Sequence, residues 1–313
     1  MKIFITGGTG FIGKRLVERF SEERHQTTLL TRRGNLKRDL PRGVTILRGD
    51  PMQEGDWQNE VASQDVVINL AGASIFARWT EESKKEIRDS RILTTRHLVA
   101  AMKKNRPHTL VSASGVGYYG GSSGDEIFTE DSTRGSGFLA QLSRDWEEEA
   151  GRAGENGIRV VCTRFGVVLG ENGGALGQMI PLFKKFLGGP LGRGNQWFSW
   201  IHREDLVAAF LFLLDHPEIS GPVNFTSPNP VRNKELAAAL GEVLGRPSFL
   251  AVPGFMLKLI LGEFGSMLLE GQRVIPQKLL RNAFPFQYPD IRSALAQIVG
   301  SSAGSDRQER KLQ

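Results

Sequence analysis

The chain has 313 residues, of which 40% are hydrophobic and 24% charged, and a formal net charge of +6. A chain of this length can bury a full core and form one large or two smaller domains. Its one cysteine, Cys162, excludes an internal disulfide and is expected to be a buried strand thiol. The five histidines show no ligand spacing, so we expect no metal site. The mildly basic balance is not a nucleic-acid signature, and we expect no nucleic-acid partner.

The N-terminus has no signal-peptide pattern, and the sequence has no uncharged apolar stretch of the ~20 residues needed to span a membrane. We therefore expect a cytoplasmic protein without a membrane partner. The most apolar segment is Phe255–Leu269, in which Met256, Leu259, Ile260 and Leu268 have helical spacing. This spacing predicts an amphipathic helix packed on its own domain. A helix that lies on a membrane surface or binds a partner is the alternative.

Strands and helices alternate along the first two thirds of the chain. Strands are predicted at Lys2–Thr6, Thr27–Thr31, Val44–Leu47, Asp65–Leu70, Thr109–Ser112, Arg159–Arg164 and Val223–Thr226. Helices are predicted at Gly13–Glu23, Trp57–Ala62, Glu81–Lys104, Phe138–Ala153, Leu176–Leu187 and Glu204–Leu214. Repeated βαβ units with apolar strands predict an α/β fold, a doubly wound parallel sheet of the Rossmann type covered on both faces.

The composition changes after Gly170. Residues 171–197 are rich in glycine and predict a lid over a substrate site. From Pro228 onward the pattern is mostly helical, with breaks at prolines. We therefore expect a nucleotide-binding domain at 1–227, a small helical substrate domain at 228–299, and a disordered tail at 300–313.

The first thirteen residues carry the sharpest motif. A short apolar strand runs directly into Gly7, Gly10 and Gly13, and a helical pattern follows. Such a turn places a pyrophosphate against backbone N–H groups at a helix N-terminus. We expect a dinucleotide to contact this loop through Gly7, Thr9, Gly10, Phe11, Ile12 and Gly13.

The end of the second predicted strand favours NADP(H) over NAD as the cofactor. NAD-binding folds place a carboxylate there to bind the ribose 2′-hydroxyl. Here the strand ends at Thr31 and continues with Arg32 and Arg33. A carboxylate would repel a 2′-phosphate, whereas arginine binds it with charge-assisted hydrogen bonds. A second basic pair, Lys37 and Arg38, follows, and a solvated basic loop is the alternative interpretation.

Two further strand ends complete the expected cofactor site. Asp50 follows the third strand, where such a residue commonly meets the adenine amino group. Leu70, Ala71 and Gly72 follow the fourth, where small residues let the backbone pass close to the cofactor ribose.

These motifs resemble the extended short-chain dehydrogenase/reductases, the NAD(P)-dependent epimerase/dehydratase family. The likeness is carried by Thr6–Gly13, Asn69–Gly72, Ser112–Gly120 and Trp200–Asp205. Later segments, Phe165–Gly170, Gly173–Ala175 and Leu269–Pro276, resemble the "epimerase family protein" subgroup that includes YfcH. The resemblance covers about residues 1–299. It implies that Glu86 and Arg91 also contact the cofactor, and that the backbone near Val167 lies at its nicotinamide end.

The resemblance also implies a catalytic serine, for which Ser114 is the candidate, and a Tyr-x-x-x-Lys pair on the next helix. That pair is missing, because the residues four positions after the three tyrosines are Ser122, Ser123 and Arg292. Phe138 occupies roughly the place of the tyrosine and cannot move a proton. Tyr118 or Tyr119 is the remaining phenol near Ser114, and a structural role for both is the alternative.

Other polar residues of this region have surface or structural explanations. Asp145 and Glu147 are expected on a solvated helix face, with a role as acids as the alternative. His202 is expected to hold the following helix against the sheet, with a contact to the substrate loop as the alternative. Two functions remain open. One is an NADP-dependent oxidoreductase or epimerase-like enzyme for an unknown small substrate, with a nucleotide sugar suggested by family analogy. The other is a noncatalytic NADPH-binding sensor. A homodimer is also left open.

Overall fold

The computed structural model describes residues 1–33, 40–76, 78–102, 107–122, 124–171 and 173–309, with side chains described as far as residue 301. The basic pair Lys37 and Arg38 therefore lies outside the described residues. Contacts divide the chain into two units, each assembled from several stretches. The first unit contains residues 1–118, 138–164 and 211–223, and the second contains 119–137, 165–210 and 224–313. Neither coincides with the ranges 1–227 and 228–299 expected from the sequence.

A seven-stranded sheet in the order β11-β7-β5-β4-β1-β2-β3 is the main β structure. The pairs β1–β2, β1–β4, β2–β3 and β4–β5 are parallel. This order reverses between β1 and β4, as in doubly wound dinucleotide-binding sheets, and confirms the predicted fold class. The strands are β1 (Lys2–Thr6), β2 (Gln26–Thr31), β3 (Val44–Arg48), β4 (Val66–Asn69), β5 (Thr109–Gly115), β6 (Ile127–Phe128), β7 (Arg159–Phe165), β8 (Val167–Leu169), β9 (Trp197–Phe198), β10 (Trp200–His202), β11 (Gly221–Phe225), β12 (Val231–Arg232) and β13 (Arg273–Val274).

The helices alternate with these strands much as the sequence predicts. They are α1 (Phe11–Glu22), α2 (Trp57–Val61), α3 (Glu81–Ala101), α4 (Phe138–Gly151), α5 (Gly174–Lys184), α6 (Arg203–Asp215), α7 (Asn233–Leu244), α8 (Gly254–Leu261), α9 (Glu263–Met267), α10 (Gln277–Arg281) and α11 (Ile291–Glu309). Among the described residues, none of these helices has both the length and the apolar character that crossing a membrane requires.

The core of the first unit forms because the apolar side chains of the strands pack against the apolar faces of the helices. Phe4 on β1 and Leu110 on β5 are fully buried and pack in one cluster with Leu98 of α3 and Ala150 of α4. Cys162 belongs to the same cluster, which confirms its prediction as a buried strand thiol. Burial of such side chains, at about 1.5–3 kcal/mol each, fixes the strands whose ends form the site described below.

The second unit has its own core around Trp200 of β10. Leu176 of α5, Leu240 of α7 and Leu295 of α11 pack with it. Helix α11 continues through residues 300–309, which the sequence analysis assigned to a disordered tail. The serine- and glycine-rich composition suggested disorder, but the buried turns before it, with Leu295 and Ile298, give the helix a packed base from which to extend.

His202 caps the start of α6, which agrees with a structural role for this residue. The ring is 2% exposed. Its Nδ1 accepts the backbone N–H of Glu204 at 3.2 Å, so Nε2 carries the proton and donates to Oε1 of Gln297 at 3.0 Å. Both ring nitrogens are therefore satisfied in the neutral form, and burial lowers the pKa of His202 below its ordinary value of 6.5.

We predict that His202 contributes to loss of stability in acid. The pKa of His202 is lower in the folded than in the unfolded state. Below about pH 6.5 the unfolded chain therefore binds more protons at this residue than the folded chain does. The free energy of unfolding should therefore fall as the pH drops from about 7 to about 5. His202→Asn, which keeps a cap acceptor, should reduce that slope in urea titrations. His108→Asn, at an exposed position, is the control, and equal slopes for all three proteins would contradict the prediction.

Candidate functional site

The turn after β1 is shaped by contacts that only glycine allows. Gly7 has a φ of +70°, and a Cβ there would lie 2.6 Å from the carbonyl carbon of Leu70. A Cβ on Gly13 would lie 2.3 Å from the carbonyl oxygen of Gly7. Such approaches are far inside van der Waals contact, so the turn requires glycine at both positions. The consequence is that α1 begins directly at the carboxyl end of β1.

The N-terminus of α1 has the features of an anion site. Gly10 provides no side-chain cap, and the first turn contains no acidic residue. Thr9 and Gly10 are exposed, while Phe11 and Ile12 are half-buried. The positive end of the helix dipole therefore lies beside exposed, uncapped backbone, as a phosphate site requires.

A buried hydrogen-bond network fixes the neighbouring end of β4. The Thr6 hydroxyl donates to Oδ1 of Asn69 at 2.7 Å, and the Asn69 amide donates to Oγ1 of Thr95 at 2.9 Å. Thr6 Oγ1 also accepts the N–H of Ala71 at 3.4 Å. Leu70 and Ala71 are thereby held beside the glycine turn, half-buried, and Gly72 is exposed. This is the point where the strand order reverses, at which doubly wound sheets bind ligands.

The residues that the sequence predicts to select the cofactor lie at the ends of β2 and β3. Thr31 is buried, and its Oγ1 accepts the N–H of Arg33 at 3.2 Å. Arg32 and Arg33 are both exposed. Asp50, just beyond β3, uses Oδ1 to accept the N–H of Met52 at 3.0 Å. Because β2 and β3 are parallel neighbours, these residues lie along one edge of the sheet.

Arg91 of α3 is a half-buried cation beside the end of β4. Its guanidinium lies 5.2 Å from the Trp146 ring, and its Nη1 donates to the carbonyl of Ile87 at 2.9 Å. A Cβ on Gly72 would lie 3.0 Å from the guanidinium carbon. Burial lowers its pKa to about 10, and no carboxylate in the described part of the chain offsets that cost. Glu86, five residues earlier, is exposed.

Ser114, Glu147 and Arg164 form a compact network from three elements. The Ser114 hydroxyl donates to Oε1 of Glu147 at 2.7 Å. Arg164 binds the same carboxylate with both arms of its guanidinium, Nε to Oε1 at 2.8 Å and Nη2 to Oε2 at 2.7 Å. Arg164 also stacks 3.5 Å from the centre of the Tyr118 ring. With its proton directed at Glu147, Ser114 presents lone pairs and can accept a hydrogen bond from a ligand.

The sequence analysis missed this network. It placed Glu147 on a solvated helix face, but the side chain is only 14% exposed, and that interpretation is wrong. The three consecutive glutamates 147–149 look alike in the sequence, but their side chains have different surroundings in the structure. Glu148 pairs with Arg144 at the surface, and Glu149 pairs with Arg96. The one available signal was Arg164, a charged residue near the carboxyl end of a strand whose middle, Val160–Cys162, is apolar.

The remaining predicted residues lie in the second unit. The Tyr119 hydroxyl donates to Oδ1 of Asn224 at 2.7 Å, and its side chain is 3% exposed. This bond agrees with the structural alternative for Tyr119, because its proton already has a buried acceptor. Val167 is half-buried on β8, opposite Trp200 of β10. Among the residues that the structure describes, no group of acidic, histidine or cysteine side chains could hold a metal ion.

This geometry defines a Rossmann-type protein with a dinucleotide site. Residues 3–225 match the profile of the NAD dependent epimerase/dehydratase family, and residues 252–298 match a domain of unknown function, DUF1731. The chain therefore belongs to the NAD dependent epimerase/dehydratase family, which confirms the resemblance seen in its motifs.

Individual relatives extend over nearly the whole chain. It is 44% identical to an "Epimerase family protein SDR39U1 homolog, chloroplastic" of Arabidopsis thaliana, over 96% of this chain and 87% of that one. A crystal structure of human epimerase family protein SDR39U1 (isoform 2) with NADPH is 34% identical, with a TM-score of 0.83 and coverage of 95% and 99%. A nucleoside-diphosphate sugar epimerase from Corynebacterium glutamicum is 32% identical, with a TM-score of 0.74, covering all of this chain and 61% of that one.

We predict that Arg91→Met stabilises the protein in the absence of ligand. The substitution removes a half-buried cation that has no acidic partner among the described residues, and it keeps most of the side-chain volume. The free energy of unfolding should therefore rise by about 1–3 kcal/mol. Arg88→Met is the control, because Arg88 lies on the same helix, is exposed, and pairs with Asp145 at 3.0 Å. Urea unfolding measures both. A loss of stability in the Arg91 variant would show that its charge is compensated after all.

Proposed function

We propose that the protein binds NADP(H) and acts as an oxidoreductase or epimerase-like enzyme on a small hydroxyl-bearing substrate. The observation that carries the cofactor assignment is the edge formed by β1 and β2, with an uncapped helix N-terminus and two exposed arginines where NAD-binding sheets carry an acid. NADPH in the crystal structure of the 34% identical human relative supports it.

The residues present fit such a cofactor. The turn at Gly7, Gly10 and Gly13 would receive the pyrophosphate, because no side chain caps the N-terminus of α1 by a hydrogen bond. Arg32, with Arg33, would receive the 2′-phosphate. Arg91, half-buried and with no acidic partner in the part of the chain that the structure describes, gains from any anion placed beside Gly72, which supports a role in holding a phosphate or ribose. Asp50, Glu86 and Val167 stay as predicted contacts.

The catalytic proposal rests on Ser114. When bound, a nicotinamide supplies or accepts a hydride at a carbon that bears oxygen. The Ser114 oxygen would accept the hydrogen of a substrate hydroxyl and orient it, since its own hydrogen is held by Glu147. Arg164 fixes the carboxylate from the other side with two bonds, so Glu147 keeps the hydroxyl in one orientation. Glu147 and Arg164 are therefore positioning residues for Ser114.

A noncatalytic NADPH sensor is the second candidate, and a specific observation favours it. The Glu147 carboxylate is already bound by Ser114 and by both arms of Arg164, and the Tyr119 proton is engaged with Asn224. No phenol–lysine pair of the usual kind is present in the sequence. Such a site could bind the cofactor without moving a proton.

Steady-state assays can separate the two functions. NADPH oxidation and NADP⁺ reduction are followed by absorbance against panels of aldehydes, ketones, secondary alcohols and nucleotide sugars. For an enzyme, Ser114→Ala should abolish turnover and Glu147→Gln should lower it at least about tenfold, with NADPH affinity unchanged in both. Glu148→Gln, one residue along the same helix, is the matched control. Tight NADPH binding by the wild type without turnover on any panel would favour the sensor.

We predict that Arg32→Ala weakens NADPH far more than NADH. Removal of a charge-assisted contact to the 2′-phosphate should cost about 2–3 kcal/mol for NADPH, roughly a 30- to 150-fold rise in Kd. NADH lacks that phosphate and should lose little. Calorimetric titration measures both, with Arg42→Ala as a control at another exposed arginine. Equal losses for the two cofactors would remove the assignment of Arg32 to the 2′-phosphate.

A further inference from the structure

An extensive apolar face in the second unit is left uncovered. The sequence analysis expected the helix at 255–269 to pack its apolar side on its own domain, but α8 buries only Leu257. Leu259 is 75% exposed and Phe255 71%. We define the apolar face by its large exposed side chains, which are Leu182, Phe186, Leu187, Phe249, Leu250, Phe255, Met256, Leu259 and Ile260.

Two segments of the chain are joined to form this face. The N–H of Leu250 donates to the carbonyl of Gly188 at 3.2 Å, and the N–H of Val252 donates to that of Pro190 at 2.9 Å. The segment after α5 is thus held beside the strand-like segment that leads into α8. The Arg246 guanidinium lies 4.9 Å from the Phe186 ring, which is a second contact between the same two segments.

Helix α8 has the composition of an interfacial helix. Its only polar side chain is that of Lys258. At about 100° per residue, Phe255, Met256, Leu259 and Ile260 span roughly 140° of the helix circumference. A helix so apolar is ordinarily buried in a core, yet these four side chains are exposed. Exposed apolar patches of this kind mark interaction sites.

The backbone at Phe186 is strained to keep an aromatic ring on this face. Its φ is +64°, in the left-handed region, directly after the C-cap of α5. Glycine is the usual residue there, because a bulky side chain raises the energy of that conformation. The Phe186 ring is 59% exposed, so packing inside the unit does not account for the choice.

The charged side chains inside the two segments that contain the face are all basic, although acidic residues border both segments in the sequence, including the exposed Glu242 and Glu263. Residues 172–203 and 243–262, which contain the whole face, have no Asp or Glu. Lys184 and Lys185 end α5, Lys258 lies on α8, and Arg246 stacks on Phe186; all four are exposed. A second copy of the chain bound by the same face would bring these cations together, because a two-fold interface places like surfaces opposite each other. An anionic surface complements them instead.

We propose that the apolar face lies on a membrane surface that contains anionic lipid. The aromatic and aliphatic side chains enter the boundary between headgroups and acyl chains, and the four cations contact lipid phosphates. The protein binds the surface without spanning it. This inference departs from the expectation that the protein has no membrane partner, and it is independent of the catalytic proposal.

Vesicle sedimentation tests the proposal with the full chain. One set of vesicles is pure phosphatidylcholine, and the other is phosphatidylcholine mixed with phosphatidylglycerol. The protein should sediment with the mixed vesicles and much less with the neutral ones, and added salt should release it. Absence of binding to both sets overturns the proposal, as does equal binding to both.

Variants locate the binding surface. Leu259→Ser with Ile260→Ser should weaken binding to the mixed vesicles at least about tenfold. Leu280→Ser, at another exposed leucine, is the matched control and should bind as the wild type does. Phe186→Gly should weaken binding while keeping or raising the melting temperature, because glycine relieves the left-handed strain. The melting temperature and NADPH affinity of each variant show that the fold is intact.

A second copy of the chain, the alternative occupant of the apolar face, would give a different experimental result. If light scattering shows a dimer that the Leu259→Ser, Ile260→Ser variant dissociates, and neither vesicle set binds the protein, the face joins two copies and the proposal is overturned. Vesicle binding that the variants leave unchanged would place the membrane contact elsewhere and would overturn it equally. Loss of NADPH binding in Arg32→Ala has no bearing on either outcome, which keeps the membrane and cofactor proposals separable.

Discussion

The carbonyl groups of Leu70 and Gly7 leave no room for side chains where β1 gives way to α1. This close approach of backbone to backbone is the constraint from which the rest of the site follows. It brings the helix N-terminus against the ends of β1 and β4, so that the positive end of α1 and the peptide groups of residues 70–72 lie at one edge of the sheet. The apolar strands β1 and β4 are buried and closely packed. They therefore hold the turn in the conformation with close backbone contacts at Gly7 and Gly13.

A buried polar network in the first unit takes in Ser114, the candidate serine. A carboxylate on α4 is gripped by an arginine at the end of β7, and together they orient a serine at the end of β5. Arginine is well suited to this role, because its planar fork matches a carboxylate and stays charged. The result is a polar cluster whose internal bonds are complete and whose serine oxygen still has lone pairs to offer.

The sequence was sufficient for the sheet and for the glycine turn because both depend on local patterns, whereas the individual cofactor contacts stay predictions. Short apolar runs predicted β1, β2 and β4 within a residue or two, and glycine spacing predicted the turn at Gly7. Glu147 could not be predicted in the same way, because its environment is set by Arg164 on a distant strand, and helix periodicity carries no information about that partner. The same limit applied to α8: its apolar pattern indicated burial, but only tertiary structure determines whether a covering element is present.

The buried network at Asn69 has a fixed direction of donation. Thr6 donates to Asn69, whose amide donates to Thr95, whose hydroxyl in turn donates to the carbonyl of Arg91 at 2.8 Å. Each group is committed as donor on one side and acceptor on the other, so the chain of bonds cannot be reversed. An aspartate, nearly identical in shape to Asn69, could accept from Thr6 but would have no hydrogen to give Thr95, and it would bury a negative charge in the sheet. The amide nitrogen of Asn69 is thus the atom that lets every member of this buried network form its hydrogen bonds.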